Sequence, residues 1–262
     1  MCLLLFAYQC HPRYRLVLAS NRDEFYDRPT AAAHFWSDCP EILAGRDLAR
    51  LGAWLGVTRT GRFAALTNYR VPASAMPEVR SRGELVSAYL HSRQHPRAYL
   101  QTLDGQGSLY PSFNLLAGDL ASLWYYSNVR NRLEAIPPGL YGLSNHFLNT
   151  PWPKVEKCRQ QLAAYLSAAA TVEPEPIFKF LANESRAPDA DLPDTGVGPE
   201  WERLLSAPFV RSPSYGTRAS AVLLIDRQSR VLFKERTFHP EKDGWKEVAY
   251  EFDLDADVSS PR

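Results

Sequence analysis

The chain has 262 residues, of which 45% are hydrophobic and 23% are charged, a composition typical of a folded globular protein. Its 30 Lys and Arg residues against 29 Asp and Glu residues leave a formal net charge of +1, which gives no electrostatic footprint for nucleic acid. No apolar segment approaches the length of a transmembrane helix, so we expect neither a nucleic-acid partner nor stable membrane insertion.

Strand patterns dominate the first seventy residues. Apolar runs at Cys2–Tyr8 and Tyr14–Ser20 predict a hairpin, and Ala53–Thr58 and Phe63–Asn68 predict a second hairpin around a glycine turn. Between them, Glu24–Leu51 is punctuated by Pro, Ala and Gly, which predicts a long loop of a kind that is often functional.

The rest of the chain mixes helix and strand patterns. Helices are expected at Ser81–Ser92, His95–Leu103 and Trp152–Ala169, and strands at Phe113–Gly118, Leu123–Asn128 and Gly139–Leu143. In the last helix the Lys, Glu and Gln residues are expected to face outward. Residues 171–213 are rich in proline, which predicts two short helices at most. A final hairpin is predicted from Ala219–Asp226 and Arg230–Thr237.

The order of these elements predicts the fold class. Strands at both ends with helices between them indicate an α+β fold, in which two packed sheets are covered by helices. The chain is long enough to bury a large core. With no internal repeat and no linker, it is expected to form a single domain over residues 1–253, followed by a disordered tail at 254–262.

Cysteine and histidine spacing predicts no metal site. None of the four cysteines belongs to a CxxC pair or forms a zinc-type cluster with the six scattered histidines. The opening MCLLLFAYQC has no basic region before its short apolar run, so it does not match a signal peptide. Scattered cysteines without a targeting segment indicate a cytoplasmic protein.

Cys2 is the most informative residue because it directly follows the initiator methionine. Removal of Met1 would leave a thiol and a primary amine on one residue, and the free amine has a reference pKa of roughly 7.7–8.0. Such an amine can activate the neighbouring nucleophile as a general base. The alternative is that Cys2 only packs, because cysteine is a common buried residue in apolar strands.

Four polar motifs are each predicted at the end or start of a strand. They are Asn21-Arg22-Asp23-Glu24, Thr67-Asn68-Tyr69-Arg70, Gly142-Leu143-Ser144-Asn145-His146 and Tyr215-Gly216-Thr217-Arg218-Ala219-Ser220. An Arg beside a thiol lowers the thiol pKa, an Asn amide can donate to an oxyanion, and an Arg can bind a carboxylate or phosphate bidentately. Each motif taken alone is equally compatible with a turn, a solvated charge run or a plain ion pair.

Taken together with Cys2, these motifs resemble the NRDE-motif family, also called transport and Golgi organisation protein 2-like. The matching blocks run from residue 1 to about residue 250 in the expected order. They are the MC start, SNRDEFYDRP, AGRD, GAWLGV, LTNYR, RSRGELV, FNLLAGD, GLSN, PWPKVEK and YGTRASAVLLID.

The resemblance implies a fold and a reaction class. The family is similar to the N-terminal nucleophile superfamily, whose members form a four-layer αββα sandwich of two antiparallel sheets between helical layers. The likeness is greatest to cysteine-type members such as bile-salt hydrolases and penicillin V acylases. This implies hydrolysis of a small-molecule amide or ester through an acyl-cysteine, a reaction that needs no cofactor.

The resemblance also assigns roles to residues. Cys2 would be the nucleophile, with its own amine as the base, Asp23 orienting that amine and Arg22 favouring the thiolate. Asn68 would donate to the oxyanion, and Asn145 and Arg218 would complete the wall of the site. Asn21, Glu24 and Tyr69 are expected to contact substrate. Bile-salt hydrolases space their Arg and Asp differently from the contiguous Arg22-Asp23, which leaves these two roles open to exchange.

A different class of function is also implied. The family is associated with haem handling in bacteria and mitochondria, and in animals with secretory organisation and lipid metabolism. This chain could therefore carry haem or a lipid-like ligand without turnover, with Cys2, His34 or His146 as iron ligands. No CxxCH motif supports covalent haem attachment. The sequence makes no prediction of the oligomeric state.

Overall fold

The computed structural model describes residues 2–71, 80–239 and 244–255. Its strands are β1 Cys2–Tyr8, β2 Tyr14–Phe25, β3 Thr30–Trp36, β4 Cys39–Asp47, β5 Leu55–Thr58, β6 Phe63–Asn68, β7 Phe113–Gly118, β8 Leu123–Ser127, β9 Arg132–Ala135, β10 Gly139–Leu143, β11 Tyr215–Asp226, β12 Arg230–Phe238 and β13 Trp245–Asp253. Its α-helices are α1 Gly83–His91, α2 Pro96–Gln101, α3 Pro153–Ala168, α4 Pro174–Leu181 and α5 Pro199–Leu205.

The strands form two antiparallel sheets. The first has the order β10-β1-β2-β11-β12-β13, and the second runs from β3 to β9 in chain order. The alternation of side chains along β1 explains how they stack, because successive residues of a strand point to opposite faces. Leu4 and Phe6 lie in the apolar layer between the sheets, whereas Leu3 and Leu5 pack in the layer that includes α3 and α4.

Helices cover the outer face of each sheet. Helices α1 and α2 pack on the second sheet through residues such as Leu85 and Tyr89, and α3 and α4 pack on the first sheet. The result is the four-layer αββα sandwich, so the predicted fold class is confirmed. Within the described residues no helix is both long enough and apolar enough to cross a membrane.

The predicted long loop at Glu24–Leu51 is wrong. Strand β2 continues through the NRDE motif to Phe25, and β3 and β4 form a further hairpin at the edge of the second sheet. Alanine and proline in this segment lower its intrinsic strand preference, and pairing with β5 supplies the missing stabilisation. The NRDE side chains therefore alternate across a strand instead of clustering in a turn.

Two further strands were not predicted, and the tail begins later than expected. Strand β9 pairs with β8, and β13 pairs with β12 over its whole length. The backbone amides of Leu254 and Asp255 donate to the carbonyls of Ser229 (2.8 Å) and Arg59 (2.9 Å), so the predicted disorder of these two residues is wrong. The remaining tail residues, 256–262, lie outside the described part.

Glu235 is a carboxyl group buried between the two sheets, on β12. Its Oε1 accepts a 2.7 Å hydrogen bond from the backbone amide of Ala33, and burial raises its pKa from 4.5 to about 7. A group that holds its proton more tightly in the folded than in the unfolded chain contributes stability at low pH, and this contribution is lost as the pH rises.

We therefore expect Glu235→Gln to flatten the pH dependence of the free energy of unfolding between pH 4.5 and about 7. At pH 8 the variant should be more stable by about 3.5 kcal/mol, because the pKa is raised from 4.5 to about 7, one pKa unit corresponds to roughly 1.4 kcal/mol, and the glutamine oxygen still accepts from Ala33. Urea denaturation at pH 5 and pH 8 measures both values. Equal slopes in the two proteins would contradict a buried, proton-holding Glu235.

Candidate active site

A cavity of about 220 Å³ opens at one end of the sandwich, where strands from both sheets begin or end. Cys2 contributes to its wall from the start of β1, and Arg22, Asp23 and Glu24 contribute from the end of β2. Asn68, the last residue of β6, reaches the same cavity from the second sheet. Five residues predicted from sequence are thus brought together.

The Cys2 thiol is buried at the cavity wall, with the residue 7% exposed. Burial raises the pKa of the thiol, and the Asp23 carboxylate raises it further. The Arg22 guanidinium and a hydrogen bond with the Asp23 backbone amide act in the opposite direction. Because the net pKa is raised, Arg22 alone does not make Cys2 a thiolate near neutral pH, and the thiol needs a base to become nucleophilic.

Arg22 and Asp23 lie on opposite faces of the first sheet, as neighbours in a strand must. The Arg22 guanidinium stacks 4.2 Å from the ring of Trp54, which also lines the cavity, and its Nη2 lies 3.9 Å from Glu24. The Asp23 carboxylate accepts a 2.7 Å hydrogen bond from Thr217 Oγ1 of β11. The contiguous Arg-Asp pair therefore places a cation at the cavity and a carboxylate behind it.

Arg218 does not reach the cavity wall that contains Cys2. It is the extra residue of a bulge in β11, where Thr217 pairs with Asp23 and Ala219 pairs with Arg22. Its Nη1 donates to the carbonyls of Phe25 (2.7 Å) and Arg28 (3.1 Å). Arg218 therefore holds the turn that follows the NRDE motif.

Asn145 and Ser144 connect the two sheets at the cavity. Ser144 Oγ lies 2.9 Å from the Cys2 carbonyl and 3.2 Å from Asn145 Oδ1, and Asn145 Nδ2 donates 3.0 Å to the Asn68 carbonyl. Asn145 is fully buried and is not part of the cavity lining. It fixes the distance between the strands that carry Cys2 and Asn68, so its place is behind the wall rather than in it.

Two of the three predicted substrate contacts lie elsewhere. Asn21 Nδ2 donates to the carbonyls of Leu181 and Pro208, both at 2.9 Å, so this side chain points into the helical layer. The Tyr69 ring packs 5.0 Å from the ring of His146, away from Cys2. Only Glu24 of this group lines the cavity. The strand alternation explains the case of Asn21, because β2 continues through the motif that was predicted to follow its end.

Arg82 is a cavity residue that sequence analysis missed. It precedes α1, and its guanidinium donates a 3.2 Å hydrogen bond to the Ser112 carbonyl. Burial lowers its pKa, and the charges of Glu24 and Cys2 oppose this effect only in part. Its position depends on close backbone contact, because a Cβ on Gly52 would lie 2.4 Å from the Gly83 carbonyl carbon. The glycines of the blocks GAWLGV and RSRGELV are the sequence feature that could have indicated this close contact.

The cavity is rich in positive charge. Five arginines line it, Arg22, Arg28, Arg50, Arg80 and Arg82, against the carboxylates of Glu24 and Asp47, since the carboxylate of the lining residue Asp23 lies on the other face of β2. Two of these charges are neutralised locally, since the Arg28 guanidinium donates to Asp47 Oδ2 at 2.6 Å and 3.0 Å, and Arg80 Nε lies 2.5 Å from Glu84 Oε1. The excess of cations favours a substrate with a polar or negatively charged end.

The chain matches a known protein family over most of its length. The family model described as Transport and Golgi organisation 2 matches residues 1–240. This chain belongs to that family. It is 36% identical to the Transport and Golgi organization 2 homolog of Mus musculus, with 97% of this chain and 99% of the mouse protein covered. It is 27% identical to Transport and Golgi organization protein 2 of Drosophila melanogaster, over 90% and 92% of the two chains.

Two solved structures are similar at a lower level. One is the Caenorhabditis elegans ortholog of N-acylethanolamine-hydrolyzing acid amidase, with a TM-score of 0.45, 11% identity, and 85% and 92% of the two chains covered. The other is the C2A mutant of a conjugated bile acid hydrolase from Clostridium perfringens, with a TM-score of 0.45, 9% identity, and 99% and 100% covered.

The two histidines proposed as haem ligands in this family member do not face the cavity. His34 Nδ1 lies 2.8 Å from the Ala32 carbonyl, and His146 Nδ1 lies 2.8 Å from Thr150 Oγ1. The part of the chain that the structure describes contains no group of three or more His, Cys, Asp or Glu residues that could hold a metal ion. The cavity of about 220 Å³ is also smaller than the roughly 300–1,000 Å³ typical of pockets that enclose a drug-sized ligand.

Proposed function

We propose that this protein is a cysteine amidohydrolase that uses Cys2, exposed as the N-terminal residue by removal of Met1, as its nucleophile. The observation that supports it best is the shared cavity wall of Cys2, Arg22 and Asn68, with the backbone amide of Asp23 bonded to the thiol. This constellation combines a nucleophile, a cation and an amide donor from two different sheets.

The reaction has two halves. In the first, the Cys2 sulfur attacks the substrate carbonyl carbon while the thiol proton passes to the α-amine of the same residue. The Asn68 amide donates to the oxyanion that forms. The carbon–nitrogen or carbon–oxygen bond then breaks, the leaving group takes the proton from the α-ammonium, and an acyl-cysteine remains. In the second half a water molecule loses a proton to the amine, attacks the thioester, and releases the acid and the free thiol.

The electrostatics of Cys2 support an internal base. Burial keeps the thiol protonated near neutral pH, so attack requires a group that accepts its proton within hydrogen-bond reach. A free α-amine with a reference pKa of roughly 7.7–8.0 is suited to that role. In the peptide-bonded form of Cys2 this base is absent, and the residue has no way to ionise its thiol at pH 7.

The cavity limits the substrate to a class. Trp54, Leu66 and Ala53 give it an apolar wall, and the arginines described above give it a cationic wall. Its volume fits the reacting end of a molecule and not the whole of a large one. We infer a small amide or ester with a short apolar acyl group beside the carbonyl.

A matched pair of chains tests the proposal. One begins at Cys2, and the other carries two alanines before Cys2, so that the same thiol is present but its nitrogen is part of a peptide bond. With p-nitrophenyl butyrate as the probe, we expect repeated turnover from the first chain and a loss of at least about 10²-fold in the second, the contribution expected of a general base. Equal turnover from both chains would overturn the proposed base.

A further inference from the structure

Lys154 is a buried charged residue that the reaction described above does not use. It lies in the first turn of α3 and is 3% exposed, contrary to the expectation that the lysines of this helix face outward. A cation at a helix N-terminus is also at the unfavourable end of the helix dipole. Because both burial and the helix dipole disfavour the charged ammonium, we expect an acidic partner nearby to compensate.

That partner is Asp23. Its side chain is on the same face of β2 as that of Asn21, which is the face that α3 and α4 cover, so the carboxylate and Lys154 lie in the same layer. Apart from the effect of burial, the Asp23 carboxylate has the largest influence on the pKa of Lys154. Likewise, Lys154 has the largest influence, apart from burial, on the pKa of Asp23. Lys154 Nζ is buried without a hydrogen bond to any of the described residues. Its interaction with Asp23 is therefore one of charge, not of a fixed hydrogen bond.

The neighbouring buried ion pair is already complete. The Arg70 guanidinium binds the carboxylate of Glu202 and stacks 4.7 Å from the ring of Trp152, the residue two positions before Lys154. Glu202 thus neutralises Arg70. The titratable or charged groups that interact electrostatically with Lys154 or Asp23 include Cys2 on β1, Arg22 on β2, Tyr26 after β2, Arg70 after β6, Cys158 on α3 and Tyr215 on β11.

Cys2 lies close to this pair. It is opposite Arg22 in the antiparallel β1–β2 ladder, so its amino side faces the end of β2 where Asp23 follows. The Asp23 backbone amide is hydrogen-bonded to the Cys2 thiol, and the charge of a Cys2 thiolate raises the pKa of Lys154. An amine freed at Cys2 would therefore share Asp23 with Lys154.

We propose that Lys154 is a positioning residue of the reaction, which competes with the Cys2 α-amine for Asp23 and so keeps that amine unprotonated near neutral pH. This inference rests on the proposed function. A lone carboxylate beside the amine stabilises the ammonium form, which is not a base. A second cation at the same carboxylate weakens that stabilisation and repels the ammonium directly.

The test compares the chain that begins at Cys2 with its Lys154→Met and Lys154→Arg variants. The first measurement is the pH profile of kcat/KM for p-nitrophenyl butyrate, and the second is the rate of Cys2 alkylation by iodoacetamide over the same pH range. In Lys154→Met we expect the acidic limb of both profiles to move up by about one pH unit, a tenfold loss at pH 6.5. Lys154→Arg, which keeps the charge, should leave the limb in place.

Two further variants keep the outcome interpretable. Asp23→Asn should move the limb down. In the double variant Asp23→Asn/Lys154→Met, which buries no unpaired charge from either residue, the limb should lie above that of Asp23→Asn, but by less than the shift that Lys154→Met causes in the wild-type background, because only the direct repulsion is lost. An acidic limb that stays in place in Lys154→Met would show that the lysine is only structural. If the alkylation profile moves although no variant hydrolyses the ester, the proposed reaction is wrong and the Lys154 coupling stands.

Discussion

Replacing Cys2 with alanine is expected to abolish hydrolysis of p-nitrophenyl butyrate, with a fall in kcat of at least about 10³-fold. The reason is that the acyl group is carried on the Cys2 sulfur, and Cys2 is the only thiol among the described residues that line the cavity. Burst kinetics measure this directly, because the wild-type chain should release one equivalent of nitrophenol before the steady state and the variant none.

The other free cysteines provide the control. Cys10 is exposed and Cys39 is half-buried, and neither lines the cavity. Their alanine variants should keep the burst amplitude and the turnover of the wild-type chain. A burst that persists in Cys2→Ala and disappears in Cys10→Ala or Cys39→Ala would remove Cys2 from the reaction.

Replacing Asn68 with alanine is expected to lower kcat by about 10²–10³-fold, the usual cost of one oxyanion donor. Alkylation of Cys2 by iodoacetamide should keep its wild-type rate, because that reaction forms no oxyanion. The backbone of Asn68 pairs with Phe113 and accepts from Asn145, and neither contact depends on its side chain. In Asn68→Ala, a fall in kcat with an unchanged alkylation rate would therefore show a loss of acyl transfer without a loss of structure.

The isosteric variant Asn68→Asp sharpens this test. Its carboxylate has the same shape but accepts hydrogen bonds instead of donating them, so the loss in kcat should be at least as large as in the alanine variant. If Asn68→Ala keeps wild-type turnover, the oxyanion is stabilised by another group, and the cavity residue Arg82 is the next to test.

Much of this fold could be predicted because its strands follow a simple alternation. The β1–β2 hairpin and the end of β6 at Asn68 lie where the pattern of apolar residues placed them. The β3–β4 hairpin could not be predicted, since its alanines and proline have weak strand preference and its pairing partners lie outside the segment. Local pattern fails where tertiary pairing supplies the stabilisation.

The candidate site shows the same division. Cys2, Arg22 and Asp23 could be identified from motifs. The placement of Arg22 and Asp23 on opposite faces of the sheet could not, because it depends on the continuation of β2 through both residues. Lys154 resembles an ordinary surface lysine in a helical pattern. Its burial depends on how α3 packs against β1 and β10, which no local signal records.

Intact mass spectrometry of the protein purified from its native host tests the central claim most directly, before and after a short incubation with p-nitrophenyl butyrate. The proposed function predicts a mass that lacks Met1, and then the addition of one butyryl group that fragmentation places on Cys2. A mass that retains Met1, with no acyl group on Cys2 after incubation, would contradict it.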